Sequence, residues 1–240
     1  MTLPPLVSDT YQVVVRGSFR PVKVSPTWLQ DQDLIGDSEH KEAVFEVLLP
    51  NELVIFNAGW LQCQATPDNL TFQTDQEAEV ERLRDLTVGT LRALNTPISL
   101  LGINRIVHFS VRNTEQWHSI GDHVVHNEIW GDILNVPGIR VATYWGQRSD
   151  RYAGHIQVQI EPSSLVHPGI FVLYNDHYDL TIVEHQPTNR SEFDTLNRQE
   201  NTEATTDKLA IAIDILTNQW EQSSQLSTRI IERVAEQGGS

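Results

Sequence analysis

Hydrophobic and polar positions alternate in short runs over much of the chain. In VFEVLLP (44–50), Phe45, Val47 and Leu49 alternate with Glu46 and Leu48; further on, Leu61, Cys63 and Ala65 alternate with Gln62 and Gln64. A period of two sends successive side chains to opposite faces of a pleated strand, so such runs predict half-buried strands. The same reading predicts strands at YQVVVRGSF (11–19), LVIFNAGWLQCQA (53–65), NLTFQTD (69–75), ISLLGINRIVHFSV (98–111), IRVATYWGQ (139–147), GHIQVQIEP (154–162) and GIFVLYND (169–176). Asn57–Gly59 and Pro67–Asn69 supply turn residues, and Gly102 predicts a bulge in the long apolar strand.

Elsewhere the period lengthens to that of a helix. Val80, Leu83, Thr87, Leu91 and Leu94 make one apolar face, Thr74 and Glu77 have capping-box spacing, and Asn95 with Pro97 ends the segment. Trp117, Ile120, Val124, Ile129 and Ile133 predict one or two short helices over 113–135, interrupted at Gly121. Leu209, Ile213, Leu216, Trp220, Ile230 and Val234 predict a long C-terminal helix over about 206–236, weakened in the middle by Ser223 and Ser224. Residues 184–206 are polar and almost without core positions, which predicts a mobile loop.

In order, residues 43–94 read strand, strand, strand, helix, and residues 139–235 read the same way. One such unit cannot bury both a sheet face and a helix stripe, whereas two can share a sheet. The expected fold is therefore α+β: two strand-strand-strand-helix halves, 1–112 and 113–240, sharing a mainly antiparallel sheet with helices on one face. In this pairing Asp75 corresponds to Asp176.

Composition narrows the function classes. With 32 acidic and 17 basic residues the formal charge is −15, a field that repels phosphate backbones and makes general nucleic-acid binding unlikely. There is no long apolar run to span a membrane and no signal-peptide pattern, and the lone Cys63 excludes an internal disulfide, so a cytoplasmic location is expected. No phosphate-binding loop, dinucleotide turn or nucleophile elbow occurs, and no cofactor is expected.

Candidate chemistry rests on four constellations. His108-Phe109-Ser110 matches half of the paired His-x-Ser/Thr signature of two-histidine phosphoesterases, with His155 as its best counterpart and Gln157 where the second hydroxyl belongs. His123 and His126, three apart, share a helix face near Asp122 and Glu128, but lack the remaining ligands of a zinc site. YNDHYDL (174–180) crowds Asp176 and His177 among other ligating types. Alternation divides these between two strand faces, which favours reading the segment as a strand end leading into a loop over reading it as a metal or catalytic site. Arg105, Arg140 and Trp145 are candidates to hold a small anionic ligand between the halves.

The segment Leu101-Gly102-Ile103-Asn104-Arg105-Ile106, together with a strand ending in acidic residues and a long terminal helix, resembles a sporadically distributed, functionally uncharacterised bacterial family. That resemblance implies the duplicated α+β layout and implies no reaction. The leading expectation is a non-catalytic interaction or assembly module that meets a protein partner, or a second copy, through helix 206–236. The alternatives are a phosphodiesterase-like enzyme using His108 and His155, and a small-anion sensor.

Overall fold

The computed structural model of the protein describes residues 3–125, 130, 132–135, 137–181 and 205–237, the first three residues of the last segment by backbone alone. Nine strands lie in one sheet among the described residues. They are β1 (Leu6–Gly17), β2 (Val44–Leu49), β3 (Leu53–Ala58), β4 (Leu61–Ala65), β5 (Asn69–Thr74), β6 (Ile98–Ser110), β7 (Ala142–Gln147), β8 (Gly154–Pro162) and β9 (Gly169–Asp179). Their order is β2-β3-β4-β5-β1-β6-β9-β8-β7, and every neighbouring pair is antiparallel. The helices are α1 (Pro26–Asp31), α2 (Asp37–Lys41), α3 (Val80–Leu94), α4 (Thr114–Val124), α5 (Thr205–Asn218) and α6 (Trp220–Glu236).

All six helices of the described residues lie on one side of the sheet, so the α+β class with helices on one face holds. Strand alternation decides which residues they cover. Tyr11, Val13, Val15, Leu70, Phe72, Leu101, Ile103, Val107, Val172 and Tyr174 point inward and are buried, while their chain neighbours face the other side. The covered residues form two apolar clusters. The larger packs α3 and α5 against β1 and β3–β6, and the smaller packs α4 and α6 against β6, β8 and β9. Between them runs a polar seam of Arg105, Asp176, Ser223 and Ser227, all buried.

The sheet does not show the expected internal duplication. The turn at Gly59, whose φ of 61° suits glycine, folds residues 53–65 into the β3–β4 hairpin, so residues 43–94 hold four strands before α3, while residues 139–235 hold three before α5. Asp75 lies beyond the end of β5, whereas Asp176 is buried within β9. The expected boundary at 112/113 falls between β6 and α4, and the sheet crosses it through the β6–β9 pairing.

Several local expectations also shift. Gly102 is in regular register with Val14 and His177, and the β1–β6 irregularities fall instead near Leu6/Ser8 and Arg16/Gly17. Thr74 Oγ1 accepts from Gln76 N rather than capping a helix at Glu77, because a 3₁₀ turn (Glu77–Glu79) comes before α3. Asn95 ends α3 in the left-handed conformation, as its position in the sequence suggests. Helix α4 runs through Gly121 unbroken, and Asn113 Oδ1 caps it by accepting from Gln116 N at 2.8 Å. The C-terminal helix is interrupted at Gln219, not at Ser223–Ser224. Those serines instead give α6 a low profile, so that Ser223 Oγ reaches Tyr174 Oη at 3.3 Å. Of the loop expected over 184–206, residues 184–204 lie outside the described residues, and Thr205 and Thr206 begin α5 instead.

Candidate functional site

Strand β9 continues to Asp179, so YNDHYDL is strand almost to its end instead of the start of a loop. Pairing on both edges, with β6 and β8, keeps it extended. Its residues divide as alternation requires. Tyr174, Asp176 and Tyr178 turn toward the helices and are buried, while Asn175, His177 and Asp179 face the side without helices.

On the covered side Asp176 is engaged by Arg148, from the segment between β7 and β8. The Arg148 guanidinium pairs with Asp176 and Asp150 and lies 3.7 Å from the centre of the Tyr178 ring; Tyr178 Oη donates to Asp176 Oδ2 at 3.0 Å. Burial alone lowers the Arg148 pKa, but the two carboxylates outweigh it and hold the guanidinium charged. Nearby, Arg105 forms its own fork with Asp9, and its Nη1 donates to Thr228 Oγ1 of α6 at 2.8 Å. Both arginines are neutralised inside the seam, and neither presents a free charge to a ligand.

On the open side three rings stack across neighbouring strands. Trp145 (β7) lies parallel to His155 (β8) at 4.1 Å between ring centres, and His155 stacks on His177 (β9) at 4.6 Å. Burial pushes the His177 pKa down, with Asp179 opposing and Arg148 reinforcing the shift, which favours a neutral ring. His108 is elsewhere on this face. Its Nδ1 is 2.9 Å from Ser163 Oγ, its ring packs on Phe171, and burial lowers its pKa. His108 pairs with Phe171 and His155 with His177, six positions apart on β9. At about 3.4 Å per residue that is about 20 Å, too far for one acid and one base to share a phosphodiester. Ser110 pairs with Gly169 at the far end of β6, further still from His155.

The remaining candidates are dispersed. Arg105 and Trp145 occupy opposite faces of the sheet, and Arg140 is exposed before β7. His123 on α4 is exposed and donates Nδ1–H to Ser119 O at 2.7 Å; His126 lies outside the described residues. Asp176 and His177 face away from each other. Among the described residues no group of three or more His, Cys, Asp or Glu side chains is placed to hold a metal ion.

Two features were not foreseen. The first is a row of amides on the open face. Asn57, Gln62, Gln73, Gln12, Asn104, Asn175 and Gln157 stand opposite one another across β3, β4, β5, β1, β6, β9 and β8. Asn104 Nδ2 donates to Gln12 Oε1 at 2.9 Å, Gln12 Nε2 to Gln73 Oε1 at 2.9 Å, and Gln73 Nε2 to Gln62 Oε1. These residues are scattered in sequence, so only the strand order brings them together.

The second is a cleft of about 380 Å³ on the covered side, between α6 and the outer strands β7 and β8. Tyr144, Val158 and Ile160 form its floor, and Leu226, Ile230 and Val234 form the α6 wall. Arg229, Glu232, Arg233 and Glu236 line it as well, two basic and two acidic side chains. Adjacent helices pack 8–10 Å apart, about two strand spacings. Helix α6 contacts β6 and β9, and α4 covers only the end of the sheet near Ile160 and Ile170. The next helix position, over β8 and β7, is unfilled by the described residues. The i, i+4 pairing of Leu226 with Ile230 beside Arg229 with Arg233 is the sequence signal for this second stripe.

No known family model and no curated protein matches the chain. Among the described residues no helix is long and apolar enough to cross a membrane.

Proposed function

We propose that the chain is a non-catalytic protein-interaction module whose docking surface is the cleft between α6 and strands β7–β8. The observation that carries this reading is the point at which helix cover stops. Beyond α6 the described sheet continues for two strands, and the apolar floor of the cleft there stays partly open: Tyr144 is 46% exposed and Val158 is half-buried. Solvent-exposed apolar side chains grouped around a concave surface mark an interaction site more often than scattered ones do. The sequence singles out helix 206–236 as the contact element, and its second half supplies one wall of the cleft. The dispersal of His108, Ser110 and His155 gives no comparable support to hydrolysis.

A photo-crosslinking amino acid at position 229, introduced in the native host, tests this reading. A discrete protein adduct is expected at 229 and none at position 52 in the exposed β2–β3 turn. Absence of an adduct at 229, or equal labelling at both positions, overturns it.

A further inference from the structure

We infer that β7 is a self-association edge: two copies of the chain pair their β7 strands antiparallel about a two-fold axis, joining their sheets into one. The sheet has two outer strands among the described residues, β2 and β7, and they are built differently. Edge strands are commonly guarded against pairing by charge, proline or a bulge. Strand β2 has two of these guards, Glu46 within the strand and a register irregularity between Phe45 and Val47. Strand β7, Ala-Thr-Tyr-Trp-Gly-Gln, has none. It holds no charged residue and no proline, and it pairs with β8 in unbroken register from Ala142 to Gln147. Its outer side is open. Among the described residues no backbone hydrogen bond reaches β7 except from β8. Trp145 stacks one ring face on His155 and is still 59% exposed. Apart from water, only another strand satisfies a whole row of outward N–H and C=O groups.

What selects a second copy is that β7 matches itself. Residues directly opposite in an antiparallel pair share a sheet face, so the two-fold axis of a continuous sheet passes through one residue position. With the axis at Trp145, Thr143 comes opposite Gln147, Tyr144 opposite Gly146, and Trp145 opposite its own copy. Polar meets polar on the open face, the two indoles pair, and each Tyr144 faces a residue without a side chain. The chain's own fold does not demand that glycine, since a Cβ at Gly146 would meet nothing nearer than Ile156 O at 3.8 Å. The ends match in charge. Arg140 is exposed two residues before β7, and Asp150 lies three residues after it. Reversing one strand against the other brings Arg140 of each copy toward the Arg148–Asp150–Asp176 cluster of the other, in which two carboxylates outnumber one guanidinium. The whole chain carries −15, yet residues 140–151 hold Arg140, Arg148 and Arg151 against Asp150, so two copies can approach here. One six-residue strand buries less than the about 1,600 Å² of a standard interface, so the dimer is weak and depends on concentration. It uses only the outer edge and leaves the α6 wall of the cleft free.

Sedimentation of the full chain up to about 500 µM should show a monomer–dimer equilibrium with a Kd below about 200 µM. Thr143→Lys/Gln147→Lys puts like charges opposite each other at both ends of the pair and should weaken the dimer about tenfold at low ionic strength. Thr143→Lys/Gln147→Glu puts opposite charges there and should restore it. Both positions are exposed, so the urea midpoint should stay the same in each variant. Oxidation of a Trp145→Cys variant should give a disulfide-linked dimer, because opposite Cα atoms lie about 4.5–5.5 Å apart. Leu49→Cys on the guarded edge should give none. A monomer at every concentration, a dimer that both charge variants affect alike, or crosslinking at 49 and not at 145 overturns the inference. A monomeric chain that still gives a discrete adduct at 229 would reject the β7 dimer while leaving the cleft as the docking surface.

Discussion

Arg105 and Asp9 meet as a two-pronged pair across β1 and β6, Nε to Oδ1 at 2.9 Å and Nη2 to Oδ2 at 2.7 Å. The Arg105 side chain is only 5% exposed, so its charge depends on that partner. Removing the carboxylate as Asp9→Asn leaves a buried guanidinium without its anion, facing only neutral side-chain acceptors, the new amide oxygen and Thr228 Oγ1. A loss of about 3 kcal/mol in urea unfolding is expected. The double change Asp9→Leu/Arg105→Met should recover most of it. A double variant as unstable as the single one would show that the seam acts through something other than paired charge.

His177 makes stability depend on pH with a definite sign. Its folded pKa lies below the ordinary imidazole value, so near pH 6 the unfolded chain binds more protons and stability rises with pH. The contribution is complete above about 6.5, the unfolded value, and is lost as pH falls below it toward the folded value. His177→Gln should flatten the urea midpoint between pH 7 and 5, leaving the slope due to His108. An unchanged slope would mean that His177 keeps its ordinary value in the fold.

Two glycines on the strands around His177 should respond in opposite ways. Gly154 has φ of 134°, and an added Cβ would strike the backbone carbonyl of His177. Gly154→Ala should cost at least about 2 kcal/mol. Gly102 has no such constraint: a Cβ there would sit 3.4 Å from Asn104 Oδ1, an ordinary contact. Gly102→Ala should change stability by less than about 0.5 kcal/mol, and comparing the two melting temperatures checks both.

Cys63 is fully buried between Phe56 and Phe72 on neighbouring strands, and burial pushes its thiol pKa well up. It should not react with a disulfide reagent in the folded protein. Labelling should accelerate with urea in step with unfolding. Fast labelling in buffer alone would indicate local opening of β4.

What the sequence revealed follows from how far apart the determining residues lie. Alternation is local, so the β8 boundaries and the two faces of YNDHYDL could be read directly. The hairpin within 53–65 could not be counted as two strands from apolar content alone, and that miscount produced the apparent duplication. Asp176 looked like a ligand because the residue that claims it, Arg148, returns from a different segment. The α6 stripe was visible, but the second stripe through Leu226 gained meaning only when the sheet proved two strands wider than its helices.

The amide row constrains the assembly of the sheet. Its central members, Gln62, Gln73, Gln12 and Asn104, are neutral groups hydrogen-bonded to the residue directly opposite. Sliding β5 or β1 by one position turns its amide to the helix side, where it meets apolar packing, and breaks the links on both edges at once. The row therefore acts as an alignment gauge. Strands from distant parts of the chain, Gln12 to Asn104, are checked against one common line, and a misaligned intermediate carries a penalty at each linked strand it touches.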